Sequence, residues 1–149
     1  VPLGKYYFLE MYCPDSDCDC RKVDIIVYGE DDKVHATLTF GWEDKAYYTN
    51  HFGFESSELP GPDFSPMQFN GPFAKFFLKE FSFNCYIDKR YVDRLKRHYQ
   101  MIKEKAKKED LCQNLRSTSF SDKEKIGRNE LCFCGSQKKY KHCCMKVFK

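Results

Sequence analysis

Four cysteines in two close pairs near the C-terminus constrain the fold of this chain more than any other feature. The first pair is Cys132 and Cys134, eight residues follow, and the second pair is Cys143 and Cys144. Zn²⁺ favours four soft or borderline ligands in a tetrahedron, and two pairs that close one short loop bring four thiolates together. A segment this short has almost no core, so the metal would supply its folding free energy. The spacing predicts a structural zinc site, with buried thiols or a redox pair as the alternative.

A second cluster of cysteines lies near the N-terminus, at the predicted turn between two strands. Cys13, Cys18 and Cys20 would supply three ligands of another metal site, which needs a fourth ligand from elsewhere. The alternative is a turn whose thiols pack inside the sheet. The sequence does not choose among four candidates for the fourth ligand: Cys85, Cys112, His51 and His98.

The aspartates of the same turn imitate the start of a calcium-binding loop. Asp15, Asp17 and Asp19 alternate along it. Cys20 and Ile26, however, stand where such a loop has its glycine and its terminal glutamate. Calcium is therefore disfavoured at this turn.

Length and composition are typical of a globular protein. With 149 residues, of which 42% are hydrophobic, the chain can build one packed core, or one domain with a small appendage. No run approaches the roughly 18 apolar residues of a membrane span, and the N-terminus lacks the apolar stretch of a signal peptide. We therefore expect a soluble cytoplasmic protein whose clustered cysteines hold metal. Because the chain begins with Val1, we also expect a processed product or a fragment of a longer protein.

The first half of the chain has the pattern of an antiparallel sheet. Short segments rich in aromatic and β-branched residues alternate with turn signals, and residues 34–40 show the two-residue period of a strand with one buried face. Residues 52–72 contain four of the six prolines, which predicts a loop, followed by a helix that begins at Pro72. The predicted strands are 6–12, 22–28, 33–41 and 45–49.

One long helix is predicted from Asp88 to Lys108. Asp88 suits its N-terminal cap, and apolar residues at spacings of three and four form a stripe that we expect to cover the sheet. The stripe consists of Val92, Leu95, Tyr99, Ile102 and Ala106. The opposite, basic face consists of Arg90, Arg94, Lys96, Arg97, Lys103, Lys105 and Lys107.

These elements predict an α+β fold: an antiparallel β-meander packed against one long helix, plus a small C-terminal zinc knuckle. The predicted domains are an α+β body at 1–109 that includes the N-terminal cysteines, a linker at 110–125 and a zinc-binding module at 126–149.

Several short motifs occur in one register near the C-terminus: Gly127-Arg128-Asn129, Cys132-Phe133-Cys134-Gly135-Ser136, Lys138-Lys139-Tyr140 and Cys143-Cys144. In this combination the segment resembles the SEC-C motif, the zinc-binding tail first named for the translocation ATPase SecA. The resemblance implies a zinc ion held by four ligands, Cys132, Cys134, Cys143 and Cys144. The run from Tyr12 to Arg21 more loosely resembles the N-terminal part of bacterial proteins that end in a SEC-C motif.

This sequence departs from the usual SEC-C pattern at a few positions. Cys144 stands where other members have histidine, and Glu130-Leu131 and Phe133 replace Asp-Pro and Pro. Gln137 replaces a glycine. If that position needs a positive φ, the glutamine side chain costs about 1 kcal/mol, which a zinc site can absorb.

Charge and residue pattern leave two main classes of function. Residues 1–87 carry 7 basic and 14 acidic side chains, whereas residues 88–149 carry 18 basic and 8 acidic ones. This division indicates either that the second half binds a polyanion or that the two halves attract each other. The basic residues around the C-terminal cysteines either neutralise the thiolates or meet an acidic protein surface, a lipid headgroup or nucleic acid. We expect a zinc-binding protein whose knuckle mediates protein–protein interaction. The alternative is nucleic-acid or ribosome association through the basic helix and tail.

Catalysis is not indicated. The four histidines lie in no nucleophile or metalloprotease pattern, and there is no phosphate-binding glycine loop. A closed site of four cysteines leaves no coordination position for water, which is typical of a structural zinc site. We therefore expect a protein that is not an enzyme; a metal-dependent enzyme would require the N-terminal cysteines to hold zinc with a free position.

Overall fold

Two units make up the chain. The computed structural model describes residues 1–66, 70–119, 126–132 and 134–147, without the side chains of 112–119 and 147. The first unit comprises Val1–Pro14 and Cys18–Ile102, and the second comprises Asp15–Asp17 and Lys103–Lys149. The first carries a β-sheet, and the second carries the C-terminal cysteines.

An antiparallel sheet of four strands forms the first unit. In chain order the strands are β1 (Tyr6–Met11), β2 (Lys22–Gly29), β3 (Val34–Gly41) and β4 (Asp63–Phe64), and they lie in the same order in the sheet. The register pairs Leu9 with Ile26 and Ile25 with Leu38. The predicted α+β class and antiparallel meander are confirmed.

One face of this sheet packs against two helices. Strand β2 alternates the fully buried Val23, Ile25 and Val27 with half-buried residues, as its two-residue period predicts. Their partners come from β3, from α2 (Ala74–Ile87) and from the first turns of α3 (Lys89–Ser119). These partners are Ala36, Leu38, Phe40, Ala74, Phe77, Phe81, Cys85 and Leu95. The long helix therefore shares the sheet with α2, whose Phe77, Phe81 and Cys85 recur every four residues along one face.

The other face of β3 is buried as well, so the prediction of a single buried face for this strand is wrong. Thr37 and Thr39 are buried beneath the proline-rich segment, which adds β4 to the sheet edge. The Thr37 N–H donates to Asn70 Oδ1 at 3.0 Å, and the Ser65 N–H donates to the Thr37 carbonyl at 2.9 Å. Threonine hydroxyls tolerate this position because the covering segment is itself polar.

The segment predicted as a strand at 45–49 is helix α1 (Lys45–Phe52). Asp44 Oδ1 accepts a hydrogen bond from the Tyr47 N–H at 2.8 Å, which caps the helix, and Gly53 ends it with a φ of 76°. The aromatic residues here fit a helix because Tyr48 points inward and is 1% exposed. Capping by Asp44 outweighs the strand propensity of Tyr47 and Tyr48.

The long helix begins as predicted and extends further. Asp88 Oδ1 accepts hydrogen bonds from the N–H groups of Arg90 at 2.9 Å and Tyr91 at 3.3 Å, which is the predicted cap. The helix continues to Ser119, so residues 110–119 of the predicted linker are helical. Residues 120–125 lie outside the described part of the chain, and the domain boundaries stay a prediction.

The inner face of α3 differs from the predicted stripe at its C-terminal half. Leu95, Tyr99 and Ala106 are buried, but Ile102 is 37% exposed. Lys103, assigned to the basic face, is buried, and its Nζ donates to the Asp15 carbonyl at 2.5 Å. Spacings of four, four and three place residues 95, 99, 103 and 106 on one face, and a lysine fits there because a carbonyl accepts a hydrogen bond from its ammonium group.

The C-terminal segment is short and tightly turned. Leu131 and Lys139 form an antiparallel bridge, a 3₁₀ turn follows at Tyr140–His142, and α4 spans Cys144–Val147. No helix in the described part of the chain is long and apolar enough to cross a bilayer.

Candidate metal centres

Main-chain hydrogen bonds fold the C-terminal segment back on itself. The Cys132 N–H donates to the Lys138 carbonyl at 2.7 Å, and the Tyr140 N–H donates to the Glu130 carbonyl at 2.8 Å. This small hairpin returns the chain to the level of its first cysteine pair. The 3₁₀ turn then brings in the second pair, with the Cys143 N–H donating to the Tyr140 carbonyl at 3.1 Å.

The tip of the hairpin uses two left-handed residues. Gly135 has a φ of 73° and Gln137 has a φ of 56°. Glycine adopts this conformation without cost, whereas a residue with a Cβ is strained in it. The Gln137 position does have a positive φ, so the glutamine carries the strain that a glycine would avoid.

Four sulfur atoms converge beside this hairpin. The Sγ atoms of Cys132, Cys134, Cys143 and Cys144 all lie within 4.8 Å of one another, and those of Cys134 and Cys143 are 3.4 Å apart. A tetrahedral zinc ion with bonds of about 2.3 Å separates its sulfur ligands by about 3.8 Å. The donor set and its spacing therefore fit zinc. Cys144 is disulfide-bonded in the structure, so a thiolate at this position requires reduction of that bond.

Hydrogen bonds from Ser136 favour ionisation of one thiol of this cluster, that of Cys134. Burial by itself raises the pKa of Cys134, but hydrogen bonds from the side chain and the N–H of Ser136 lower that pKa to about 7. Burial keeps the pKa of Cys132 above its ordinary value. The Ser136 hydroxyl also lies 3.0 Å from Cys143 Sγ. The sequence predicts no separate role for Ser136 beyond its place in a motif; its position two residues after a cysteine is the signal that points to this role.

The cluster is shielded on one side and basic on its outer surface. Cys132, Cys143 and Cys144 are buried, Cys134 is half-buried, and Tyr140 packs against them. Glu130, which departs from the usual pattern, accepts a hydrogen bond from the Gly127 N–H at 2.9 Å. Exposed residues around the cluster are Arg128, Leu131, Lys138, Lys139, His142 and Lys146. Phe133 and Lys149 lie outside the described residues.

The matches to known proteins fall on this same segment. Residues 128–146 match the SEC-C motif. The predicted resemblance is confirmed for this part of the chain, and the cysteine cluster is the part of the SEC-C motif that could bind metal.

Three curated relatives of this chain are translocase subunits. The chain is 36% identical over 59 residues to the protein translocase subunit SecA of Clostridium tetani, which is 40% of this chain and 7% of the relative. SecA of Bartonella bacilliformis is 85% identical over 20 residues, 13% of this chain and 2% of the relative. SecA of Pseudomonas fluorescens is 55% identical over 29 residues, 20% of this chain and 3% of the relative. This chain thus spans a small fraction of the length of these relatives, and no solved structure matches it.

The three N-terminal cysteines also converge. The Sγ atoms of Cys13, Cys18 and Cys20 lie within 4.8 Å of one another, in the loop that joins β1 to β2. Burial, and then the neighbouring Cys18 and Cys13, raise the pKa of Cys20 to about 12. Three thiolates cannot share so small a volume without a cation to offset their repulsion.

The four sequence candidates for a further ligand are placed differently. His51 Nε2 lies 3.9 Å from Cys18 Sγ. His98 Nδ1 instead donates to Glu10 Oε2 at 2.6 Å, and Cys85 belongs to the hydrophobic core. The side chain of Cys112 lies outside the described residues.

The aspartates of the turn make other contacts. Asp19 accepts a charge-assisted hydrogen bond from Arg21 at 2.8 Å and another from the Tyr99 hydroxyl at 3.2 Å. Asp15 Oδ1 accepts from the Asp17 N–H at 2.9 Å, which is a local turn contact. These contacts give the aspartates a role in ordering the turn.

Proposed function

We propose that this chain is a cytoplasmic zinc-binding protein whose SEC-C segment binds a protein partner. The observation that carries the proposal is the convergence of four cysteine sulfurs within 4.8 Å inside the residues that match the SEC-C motif. Both cysteine pairs are fixed by main-chain hydrogen bonds rather than by a core. A bound metal is what such a segment requires for stability.

Zinc would be held by Cys132, Cys134, Cys143 and Cys144 and would supply positive charge and folding free energy. Four thiolates and one Zn²⁺ sum to a charge of about −2. Hydrogen bonds from Ser136 and from main-chain N–H groups offset part of that charge at the sulfurs. Because all four positions are held by the protein, the site is structural and leaves no place for a reacting water.

The outer surface of this segment suits an acidic protein segment that carries an apolar residue. Leu131 is 69% exposed and is bridged to Lys139, so an apolar side chain and a cation lie together at the hairpin. Lys138 and Arg128 are exposed as well, and neither forms an ion pair with a carboxylate in the described part of the chain. Exposed apolar surface rimmed by charge is typical of interaction sites. The names of the relatives describe subunits of a larger translocase, which agrees with a role in assembly.

Partner capture with a metal-deficient control tests this proposal. Reduced, zinc-loaded wild-type chain and the Cys132→Ser/Cys143→Ser variant are used as baits in extract, and captured proteins are identified by mass spectrometry. We expect a protein that is retained by the wild type and lost from the variant. Its purified form should then bind the wild type, and Lys138→Glu/Lys139→Glu should weaken that binding about tenfold or more. Equal capture by both baits contradicts the proposal.

Nucleic-acid association is the second candidate, because α3 presents exposed cations. Lys96 and Arg97 are adjacent and exposed on this helix. Two members of the predicted basic face are engaged internally, however: Arg94 pairs with Glu10 at 2.8 Å, and Lys103 is buried. Binding to a short RNA that falls steeply and linearly in log salt, and that Lys96→Glu/Arg97→Glu abolishes, favours this candidate. Binding to one protein with little salt dependence favours the first.

A further inference from the structure

The loop between β1 and β2 and helix α1 bring together three cysteines and one histidine. The loop supplies Cys13, Cys18 and Cys20, and α1 supplies His51 in its last turn. All four residues belong to the first unit of the chain. We propose that Cys13, Cys18, Cys20 and His51 form a second zinc site, of the three-cysteine, one-histidine type, which fastens the β1–β2 loop to α1.

The distances among the three sulfurs, and from one of them to His51, suit a zinc site. The three sulfurs lie within 4.8 Å of one another, and His51 Nε2 is 3.9 Å from Cys18 Sγ. Zinc bonds of about 2.3 Å to sulfur and about 2.05 Å to nitrogen place tetrahedral ligands about 3.8 Å (S···S) and 3.6 Å (S···N) apart. Closure of the three sulfurs on the metal therefore requires shifts of about 1 Å or less. His51 does not lie within 4.8 Å of all three sulfurs, so its imidazole must turn further toward them to complete the site.

Among the described candidates, His51 is the one with a ligand atom at the cluster. His98 is held by Glu10 on β1, and Cys85 is enclosed by apolar side chains, with burial raising its pKa to about 12. His51 is exposed, so its imidazole can turn toward the sulfurs without losing core contacts. These placements leave His51 as the candidate for the fourth ligand among Cys85, His51 and His98.

Two aromatic neighbours pack against the ring of His51. It stacks nearly parallel on Tyr47, with centroids 6.0 Å apart and 6° between planes, and meets Phe52 edge-on at 4.8 Å. Tyr47 in turn donates its hydroxyl hydrogen bond to the Asp19 carbonyl, within the cysteine loop. Tyr47 thus contacts both His51 and the loop that carries the thiols.

The chemistry of the donors selects the metal. Three thiolates and one imidazole are soft or borderline ligands, which favour Zn²⁺ and disfavour Ca²⁺ and Mg²⁺. Four protein ligands complete a tetrahedron, so the site is structural. The Lys22 N–H donates to Cys20 Sγ, a type of contact that stabilises metal-bound thiolates.

Zinc counting in the full, reduced chain tests the assignment. The Cys132→Ser/Cys143→Ser background removes the C-terminal site, and we expect it to retain one zinc ion per chain by inductively coupled plasma mass spectrometry. Addition of His51→Ala to this background should weaken zinc binding about 10- to 100-fold in competition with a chelator. The matched control His98→Ala should leave the affinity unchanged. Addition of His51→Cys should restore tight binding, because a fourth thiolate replaces the imidazole.

Cobalt absorption reports the number of thiolate ligands on the metal, which a change in folding alone would not alter. Co²⁺ bound to the background variant should show tetrahedral bands, and His51→Cys should intensify the sulfur-to-metal charge-transfer band as the thiolate count rises from three to four. A background variant that binds no zinc overturns the site. Zinc affinity and cobalt spectra that stay unchanged in both His51 variants overturn the assignment of His51.

Discussion

At the scale of single residues, the chain departs from the SEC-C pattern where its geometry is most demanding. Gln137 has a φ of 56° at a position where glycine is usual. Glu130, by contrast, replaces aspartate without loss, since its side chain accepts the Gly127 N–H. Gln137 thus places strain at the tip of the hairpin, while Glu130 supports the turn before it.

Replacement of Gln137 by glycine should relieve this strain. We expect Gln137→Gly to stabilise the zinc-bound segment by about 1 kcal/mol, because glycine adopts the left-handed conformation without steric cost. Zinc affinity, measured by chelator competition, should rise about fivefold. Gln137→Ala retains a Cβ and is the matched control, for which we expect little change. An equal gain in both variants would assign the effect to loss of the glutamine side chain instead.

Glu10 gives the first unit a predictable response to acid. Burial alone would raise the pKa of its carboxyl, but hydrogen bonds from His98 and Tyr12 and the charge of Arg94 hold the pKa below 4.5. A lowered pKa in the folded state means that the stabilisation is complete above the unfolded-state value and is lost as pH falls through the folded-state value.

Glu10→Gln should therefore destabilise the protein by about 1 kcal/mol at pH 7, and less as the pH falls below about 4.5. Urea unfolding of the wild type and of Glu10→Gln at a series of pH values gives the difference between their free energies of unfolding. Effects of acid on the thiols occur in both chains and cancel in this difference. Glu80→Gln, at an exposed position, is the control. A difference that is constant with pH would show that Glu10 acts by packing alone.

At the scale of elements, helix α1 carries the histidine of the proposed N-terminal zinc site. Its aromatic sequence suggested a strand, and the cap at Asp44 makes it a helix that ends with His51 and Phe52 near the β1–β2 loop. A strand would alternate Tyr47 and Tyr48 across a sheet, whereas the helix buries Tyr48 and leaves Tyr47 beside His51.

Removal of this cap should weaken the helix measurably. We expect Asp44→Ala to lower the free energy of unfolding by about 1 kcal/mol, since the Tyr47 N–H loses its acceptor. Asp44→Asn retains a capping oxygen and should stay within a few tenths of a kcal/mol of the wild type. Both are measured by chemical denaturation. Equal stability of the alanine and asparagine variants would contradict the role of the cap.

The sequence predicts those structural features that short stretches of neighbouring residues determine. The strands β1 to β3, the Asp88 cap and the clustering of the C-terminal cysteines follow from periodicity, capping chemistry and cysteine spacing within short windows. The helix at 45–52, the buried Lys103 and the choice among ligand candidates depend on contacts between distant segments. His51 and Cys18 are 33 residues apart, and nothing in either local sequence indicates that they meet.

At the scale of the whole molecule, the two units depend on different sources of stability. The first has a hydrophobic core of strands and helices, whereas the C-terminal segment of the second has a cluster of cysteines in place of a core. Loss of the C-terminal metal should therefore unfold the segment that binds it and spare the sheet. The predicted body at 1–109 should stay folded without that metal.

Limited proteolysis of the reduced Cys143→Ser variant tests this independence. We expect rapid cleavage within about the last 25 residues, while the fragment that contains the sheet resists cleavage as in the wild type. The zinc-loaded wild type, digested in parallel, should be protected in both regions. Rapid loss of the sheet-containing fragment would contradict the division.

The central claim is that the C-terminal cysteines hold one zinc ion, and metal content tests it most directly. Native mass spectrometry of the reduced wild-type chain and of Cys132→Ser/Cys143→Ser gives the number of zinc ions on each. The account predicts that the variant carries one zinc ion fewer than the wild type. An equal zinc count on the two chains would contradict it.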